Sequence, residues 1–181
     1  MTELTSDANV LGALALVVSD RTSAAIAGAA GQSETGAAAL SALHHFLERP
    51  TIDLLRQVLG LTPSGTVRLV DRLVAAGYVT RGPGSDGRSR TVTLTAEGRR
   101  AAERVAQARA DVLEGALAAL SPAERATLHA LAGRLLATFV RGPGATRWVC
   151  RLCDTGRCGR AEGLCPAANA ASAARRQRGS G

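Results

Sequence analysis

LTPSGTVRLVDRLVAAGYVTRGPGSDGRSRTVTLTAEG, residues 61–98, changes its periodicity twice, and the reading of those changes decides the fold. Thr62 can cap a helix because its hydroxyl accepts from a first-turn amide, and Pro63 suits the first helical position, where a missing N–H costs nothing. Val67, Val70, Leu73 and Val74 recur at spacings of three and four with Leu69 beside them, which predicts one apolar stripe facing a core. Arg68 and Arg72 stack four residues apart elsewhere on the surface and flank Asp71. Gly77 supplies a left-handed stop.

After Gly77 the period becomes that of strands. Tyr78-Val79 and Thr91-Val92-Thr93-Leu94-Thr95 favour extended backbone, and Gly82 to Gly87 between them is turn chemistry. A hairpin with Arg81, Arg88 and Arg90 crowded at its tip suits a polyanion. Upstream, Thr51 can cap a helix carrying Ile52, Leu55 and Val58 and ended by Gly60, so two helices and a short turn precede the hairpin. The expected fold is mainly α with a small β-hairpin wing, a winged helix-turn-helix with a helical dimerisation region. Thr62, Ser64, Gly65 and Thr66 sit at the amino end of the second helix, where small side chains and free amides can approach bases and phosphates. Arg68 and Arg72 are expected in the major groove, and Arg81, Arg88 and Arg90 on the wing.

The stretch resembles the MarR family of bacterial transcriptional regulators. The resemblance rests on Arg68-Leu69-Val70-Asp71-Arg72-Leu73, on the Gly77-Tyr78-Val79 step and on Asp86-Gly87-Arg88 in the wing, and it spans roughly residues 35–140. It implies a homodimer binding double-stranded DNA at a palindromic operator. Such proteins often bind small aromatic acids or drugs between the dimerisation and DNA-binding regions. Two Phe, one Tyr and one Trp make this chain a poor match to that habit.

Composition agrees with an anionic partner. The net charge is +7, and all 22 basic residues are arginine, a preference that suits phosphate and guanine but follows more simply from a GC-rich genome. The longest apolar run, Val10 to Val18, is short for a membrane span and is followed by Asp20 and Arg21, so a cytoplasmic protein is expected. Further helices are predicted over 7–30, 36–49, from Thr95 to about Leu120, and from a Ser121-Pro122-Ala123-Glu124 capping box to about Arg141. These helices carry more apolar surface than one small domain needs, and the resemblance implies that they interlock two subunits, so residues 1–34 and 95–141 are assigned to dimerisation, with an intramolecular bundle as the alternative. Residues 35–94 form the DNA-binding domain.

The second constellation is Cys150-x2-Cys153-x4-Cys158-x6-Cys165, which uses every cysteine in the chain. Short spacing, interleaved glycines and a reducing compartment point to a metal site over 142–166, with zinc placed slightly ahead of an iron-sulfur cluster. A metal-free thiol–disulfide switch is the alternative, as is a nonspecific, architectural DNA-binding role for the whole protein. Gly82-Pro83-Gly84-Ser85-Asp86-Gly87 fits a dinucleotide fingerprint only literally, since it leads into a strand. His44 and His45 are adjacent on a helix, so at most one is expected to line a pocket. With no catalytic constellation the chain reads as a regulator and not an enzyme. Residues 167–181, with almost no apolar residue larger than alanine, are expected to be a disordered basic tail.

Overall fold

A computed structural model describes residues 4–85, 88–140 and 145–179. Its elements are α1 (Ser6–Ala30), α2 (Glu34–His45), α3 (Ile52–Leu59), α4 (Pro63–Ala75), β1 (Val79–Pro83), β2 (Arg90–Leu94), α5 (Ala96–Leu117), α6 (Pro122–Phe139), α7 (Ala145–Val149), a 3-10 turn (Cys150–Leu152) and α8 (Pro166–Gly179). Local chemistry sets most boundaries. Thr5, Ser33, Thr51, Thr62, Thr95 and Ser121 each accept a first-turn amide, and Gly31 and Gly60 close α1 and α3 in the left-handed region.

The helix over 36–49 ends sooner than its composition suggests. It stops at His45, and Arg49 takes φ +45° to turn the chain into Pro50. The Pro50 carbonyl then accepts from the Val92 amide, and Thr51 bridges Thr91, so this segment lies along the outer edge of the hairpin.

The core joins the DNA-reading elements. Leu40, Leu55, Val58, Leu69, Val70, Leu73, Val79 and Val92 form one buried cluster contributed by α2, α3, α4 and the hairpin. β1 and β2 pair antiparallel, with Val79 opposite Leu94 and Pro83 opposite Arg90. The hairpin's base locks onto the start of α5. Thr95 Oγ1 donates to the Gly77 carbonyl at 2.7 Å while accepting from the Gly98 amide at 2.9 Å, and a Cβ at Gly98 would run into the Tyr78 carbonyl. The Tyr78 hydroxyl reaches α1 by donating to the Ala30 carbonyl.

Two expectations change here. Residues 166–179 are helical: alanine is the best helix former, and Ala167 and Ala171 are buried in one cluster with Val140 and Cys165. The expected disorder therefore fails for the part of the tail that is described. Second, α1 is long and apolar enough to cross a membrane by length and composition, with mean hydropathy 1.5 over its best window. Its alanines raise the hydropathy although Asp20 and Arg21 interrupt the apolar run. Along α1, Val10, Leu14 and Val17 are all at least half exposed, while Ile26 and Ala30 at its far end are buried.

Candidate nucleic-acid interface and cysteine segment

The caps at the start of α4 place its side chains. Thr62 Oγ1 accepts from the Gly65 amide at 3.1 Å, and the Thr62 carbonyl accepts from both the Thr66 amide and the Thr66 hydroxyl. The predicted contacts at this end therefore separate. Thr62 is an exposed cap, Ser64 is exposed, and the amides of Gly65 and Thr66 are already committed within the helix. Thr66 is fully buried, so its assignment to the ligand face is corrected: the hydroxyl bonds back to Thr62 and the methyl enters the core. Thr62→Ala is expected to lower stability by about 1 kcal/mol in chemical denaturation, the usual loss for a missing helix cap.

The buried stripe of α4 is Thr66, Leu69, Val70 and Leu73, rotated from the predicted one, and Val67 and Val74 stand in solvent at 46% and 40% exposure. The outward face consequently reads Ser64, Val67, Arg68, Asp71 and Arg72. Val67 was missed as a surface residue because Val67, Leu69, Val70, Leu73 and Val74 satisfy more than one helical phase. Arg68 and Arg72 have no carboxylate partner among the described residues. Arg81 does: its guanidinium pairs with Asp71, a contact that ties β1 to the middle of α4 and leaves Arg81 partly neutralised. Arg88 and Arg90 are exposed on the hairpin, which is held near its tip by the Gly84 amide donating to the Ser89 carbonyl. Asp86 and Gly87, part of the wing motif, lie outside the described residues.

The cysteine segment docks on this head. The edge of the Trp148 ring lies against Gly60, with Cζ3 3.1 Å from where a Cβ would stand, and the Arg151 guanidinium stacks 3.7 Å from the ring centroid. Leu152 packs against both the main core and the cluster around Ile26 and Val105. Thr155 Oγ1 donates to the His45 carbonyl at 2.8 Å, and Asp154 lies 3.7 Å from His45 Nδ1. Burial lowers the His45 pKa, with Asp154 opposing.

All four cysteines are free thiols, with Cys150 and Cys165 buried; the Cys153 thiol donates to the Val149 carbonyl at 3.9 Å and the Cys158 thiol to the Thr155 carbonyl at 3.6 Å. The neighbouring Cys150, with Arg109 and Arg151, draws Cys153 down to about 6, while Cys153 and burial push Cys150 up. Among the described residues no three His, Cys, Asp or Glu side chains stand close enough together to hold a metal ion as they are arranged.

Residues 33–89 match the model of the MarR family. Among solved structures, a probable transcriptional regulator from Pseudomonas aeruginosa is 28% identical, with TM-score 0.55 over 68% of this chain and 95% of that one. Wild-type MarR from E. coli in its apo form is 26% identical, with TM-score 0.58 over 70% and 96%. A MarR variant from E. coli, solved with operator DNA, is 24% identical, with TM-score 0.57 over 75% and 99%. The fold is the MarR-type winged helix. A comparison with curated proteins gave no match.

Those MarR-type structures are covered almost completely, while a quarter or more of this chain has no counterpart in them. One groove, about 530 Å³, lies between α2, α5 and the loop after Cys153, lined in part by His44, His45, Gln107, Arg109 and Arg157. Both histidines line it, against the expectation of at most one. Their rings meet edge to face, 4.8 Å apart.

Proposed function

We propose that the protein is a transcriptional regulator that binds double-stranded DNA as a homodimer, on a palindromic operator. The observation that carries this reading is the outward face of α4, Ser64, Val67, Arg68 and Arg72, set beside an arginine-bearing wing on a MarR-type fold. Hydroxyl, methyl and guanidinium groups on one helix face are the chemistry that reads base edges, while wing arginines suit phosphates and the minor groove. A MarR structure bound to operator DNA shares this fold and supports the same partner. Selection of the purified protein from a random duplex library tests it. Enrichment of an inverted repeat with half-sites about one helical turn apart is expected. Recovery of unrelated sequences, with binding lost equally from all as salt rises, would instead make the protein an architectural DNA binder.

Dimerisation is supported by apolar surface that one chain leaves uncovered. Leu11, Leu14 and Val17 on α1 and Leu131, Leu135 and Phe139 on α6 are 47–73% exposed, and α6 buries no residue at all within the described chain. A second copy, not lipid, suits α1, because the helix also packs on α5 and receives a hydrogen bond from Arg104 at Ala29. Leu14→Glu combined with Leu135→Glu is expected to give a monomer in sedimentation velocity that keeps its helical circular dichroism.

The cysteine segment is read as a four-thiolate metal site, zinc ahead of iron-sulfur. Four soft donors within sixteen residues, with Arg109, Arg151 and Arg160 near enough to feel their charge, suit a thiolate-bound cation. Four free thiols within sixteen residues also suit a second reading, a dithiol switch. In it two thiols pass two electrons and two protons to a peroxide, giving a disulfide and water. Elemental analysis and an anaerobic visible spectrum separate these: zinc without colour, iron with visible absorption, or neither metal with four titratable thiols.

A further inference from the structure

Leu152 is shared between two cores. It packs against the cluster of α2, α3, α4 and the hairpin that builds the DNA-reading head, and also against the cluster of Ile26 and Ala30 of α1, Ala37 of α2 and Val105 of α5. From that second cluster α1 runs on to the exposed Leu11, Leu14 and Val17, the surface read above as meeting a second copy. Leu152 therefore stands where the head meets the dimerisation helices. Its neighbours along the chain fasten it to the head. The Trp148 ring lies against Gly60, which ends α3 at φ +64° just before Thr62 caps α4. Arg151 stacks on that ring and donates to the Trp148 carbonyl at 2.9 Å. Thr155 Oγ1 donates to the His45 carbonyl at the end of α2. Residues 148–155 thus form a strap, anchored to the head at Gly60 and at His45, with Leu152 between the anchors and packed towards α1 and α5.

We propose that this strap, through Leu152, determines which half-site spacing the protein accepts, by stiffening the head against the dimerisation helices. Leu152 is then a positioning residue for DNA recognition and touches no DNA itself. This rests on the reading above of a dimer on an inverted repeat. Two heads on one dimer act as a bivalent ligand, so the second half-site is captured only where its distance and rotation match those of the second head. A stiff connection makes that match narrow and the matched complex tight. A loose one broadens the range of accepted spacings and weakens the best of them, because the second head spends less time in register. α5 and the bond from Tyr78 to Ala30 also join head and dimerisation helices, so loss of the strap loosens the joint without separating its parts.

Full-length protein is titrated against three duplexes: the repeat chosen by the selection experiment, the same repeat with its spacer lengthened by one base pair, and a single half-site in unrelated flanking sequence. One added base pair moves the second half-site by about 3.4 Å and turns it by about 35°. The parent protein is expected to bind the lengthened repeat roughly tenfold more weakly than the selected one. Leu152→Ala is expected to bind the selected repeat roughly fivefold more weakly, to lose only about twofold on lengthening, and to keep the parent's affinity for the single half-site. Trp148→Ala should shift the two repeats in the same direction, while Leu152→Met keeps the parent's preference. Where Leu152→Ala does not fold by circular dichroism, Thr155→Val decides by the same narrowing, since it removes the bond to His45 and almost no volume. A spacing preference that is absent from the parent, or unchanged in the folded variants, overturns the strap. So does a half-site affinity that falls in step with that for the repeat, because the contact then acts within the head. A parent protein that selects no inverted repeat overturns the dimeric-operator reading and the strap with it.

Discussion

Arg68→Ala combined with Arg88→Ala lowers affinity for the selected duplex by about 3 kcal/mol, roughly a hundredfold, with the melting temperature unchanged. The size follows from losing one base-edge contact, worth about 1–3 kcal/mol, and one phosphate or minor-groove contact. The two singles should differ in kind. Arg68 projects from the outward face of α4 beside Ser64 and Val67, so Arg68→Ala relaxes sequence preference at one position of each half-site. Arg88 is exposed on the hairpin, so Arg88→Ala weakens all sequences alike and reduces the salt slope by about 1. Mobility-shift titrations at several salt concentrations read both effects. Both side chains are exposed, so a drop in stability with either would mean that the affinity change came through folding. Unchanged affinity in the double variant would remove α4 and the wing as the DNA-contacting surface. Arg81→Ala should behave differently again, because that guanidinium braces the wing against α4 through Asp71 before it can serve a ligand.

Gly98→Ala destabilises the protein by ~3 kcal/mol in chemical denaturation, although helix propensity alone would favour alanine by about 1 kcal/mol. Gly98 is in the first turn of α5, where the helix crosses the base of the wing. A Cβ there meets the Tyr78 carbonyl, and Leu94 Cδ2 stands only 3.0 Å away. The carbonyl cannot move aside cheaply, because it already accepts from the Thr95 amide and lies beside the Thr95 hydroxyl. Substitution therefore pries the wing from α5. A stability equal to or above that of the parent chain would show that this crossing has slack the packing does not suggest. Gly133, whose Cβ would meet the Pro166 ring at 2.9 Å, should tolerate alanine better, since it opposes a side chain on a surface helix.

How far the sequence could be read depended on the range of the interaction involved. Thr51, Thr62, Thr95 and Ser121 were legible as helix starts because a cap is settled within three or four residues. The hairpin was legible for a similar reason, since glycine turns and branched residues act locally. The phase of α4 was not. Its valines and leucines allow two rotations of the helix, and packing on α2, α3 and the hairpin chooses the one that buries Thr66 and exposes Val67. The tail misled for a different reason. Its alanines bury too little area to fold alone, but they lie in a groove between α6 and the cysteine loop, a partner that composition does not reveal.

By itself, the sequence determined where α3, α4, α5 and α6 begin, which segment forms the hairpin and which residues carry positive charge, because each of these is decided within a few residues along the chain. Only the tertiary structure decided that Asp71 would hold Arg81, that Thr66 would be withdrawn from the surface, and that Trp148 would rest on Gly60, 88 positions away in sequence. Contacts across such separations depend on how whole elements pack, and no local period encodes them.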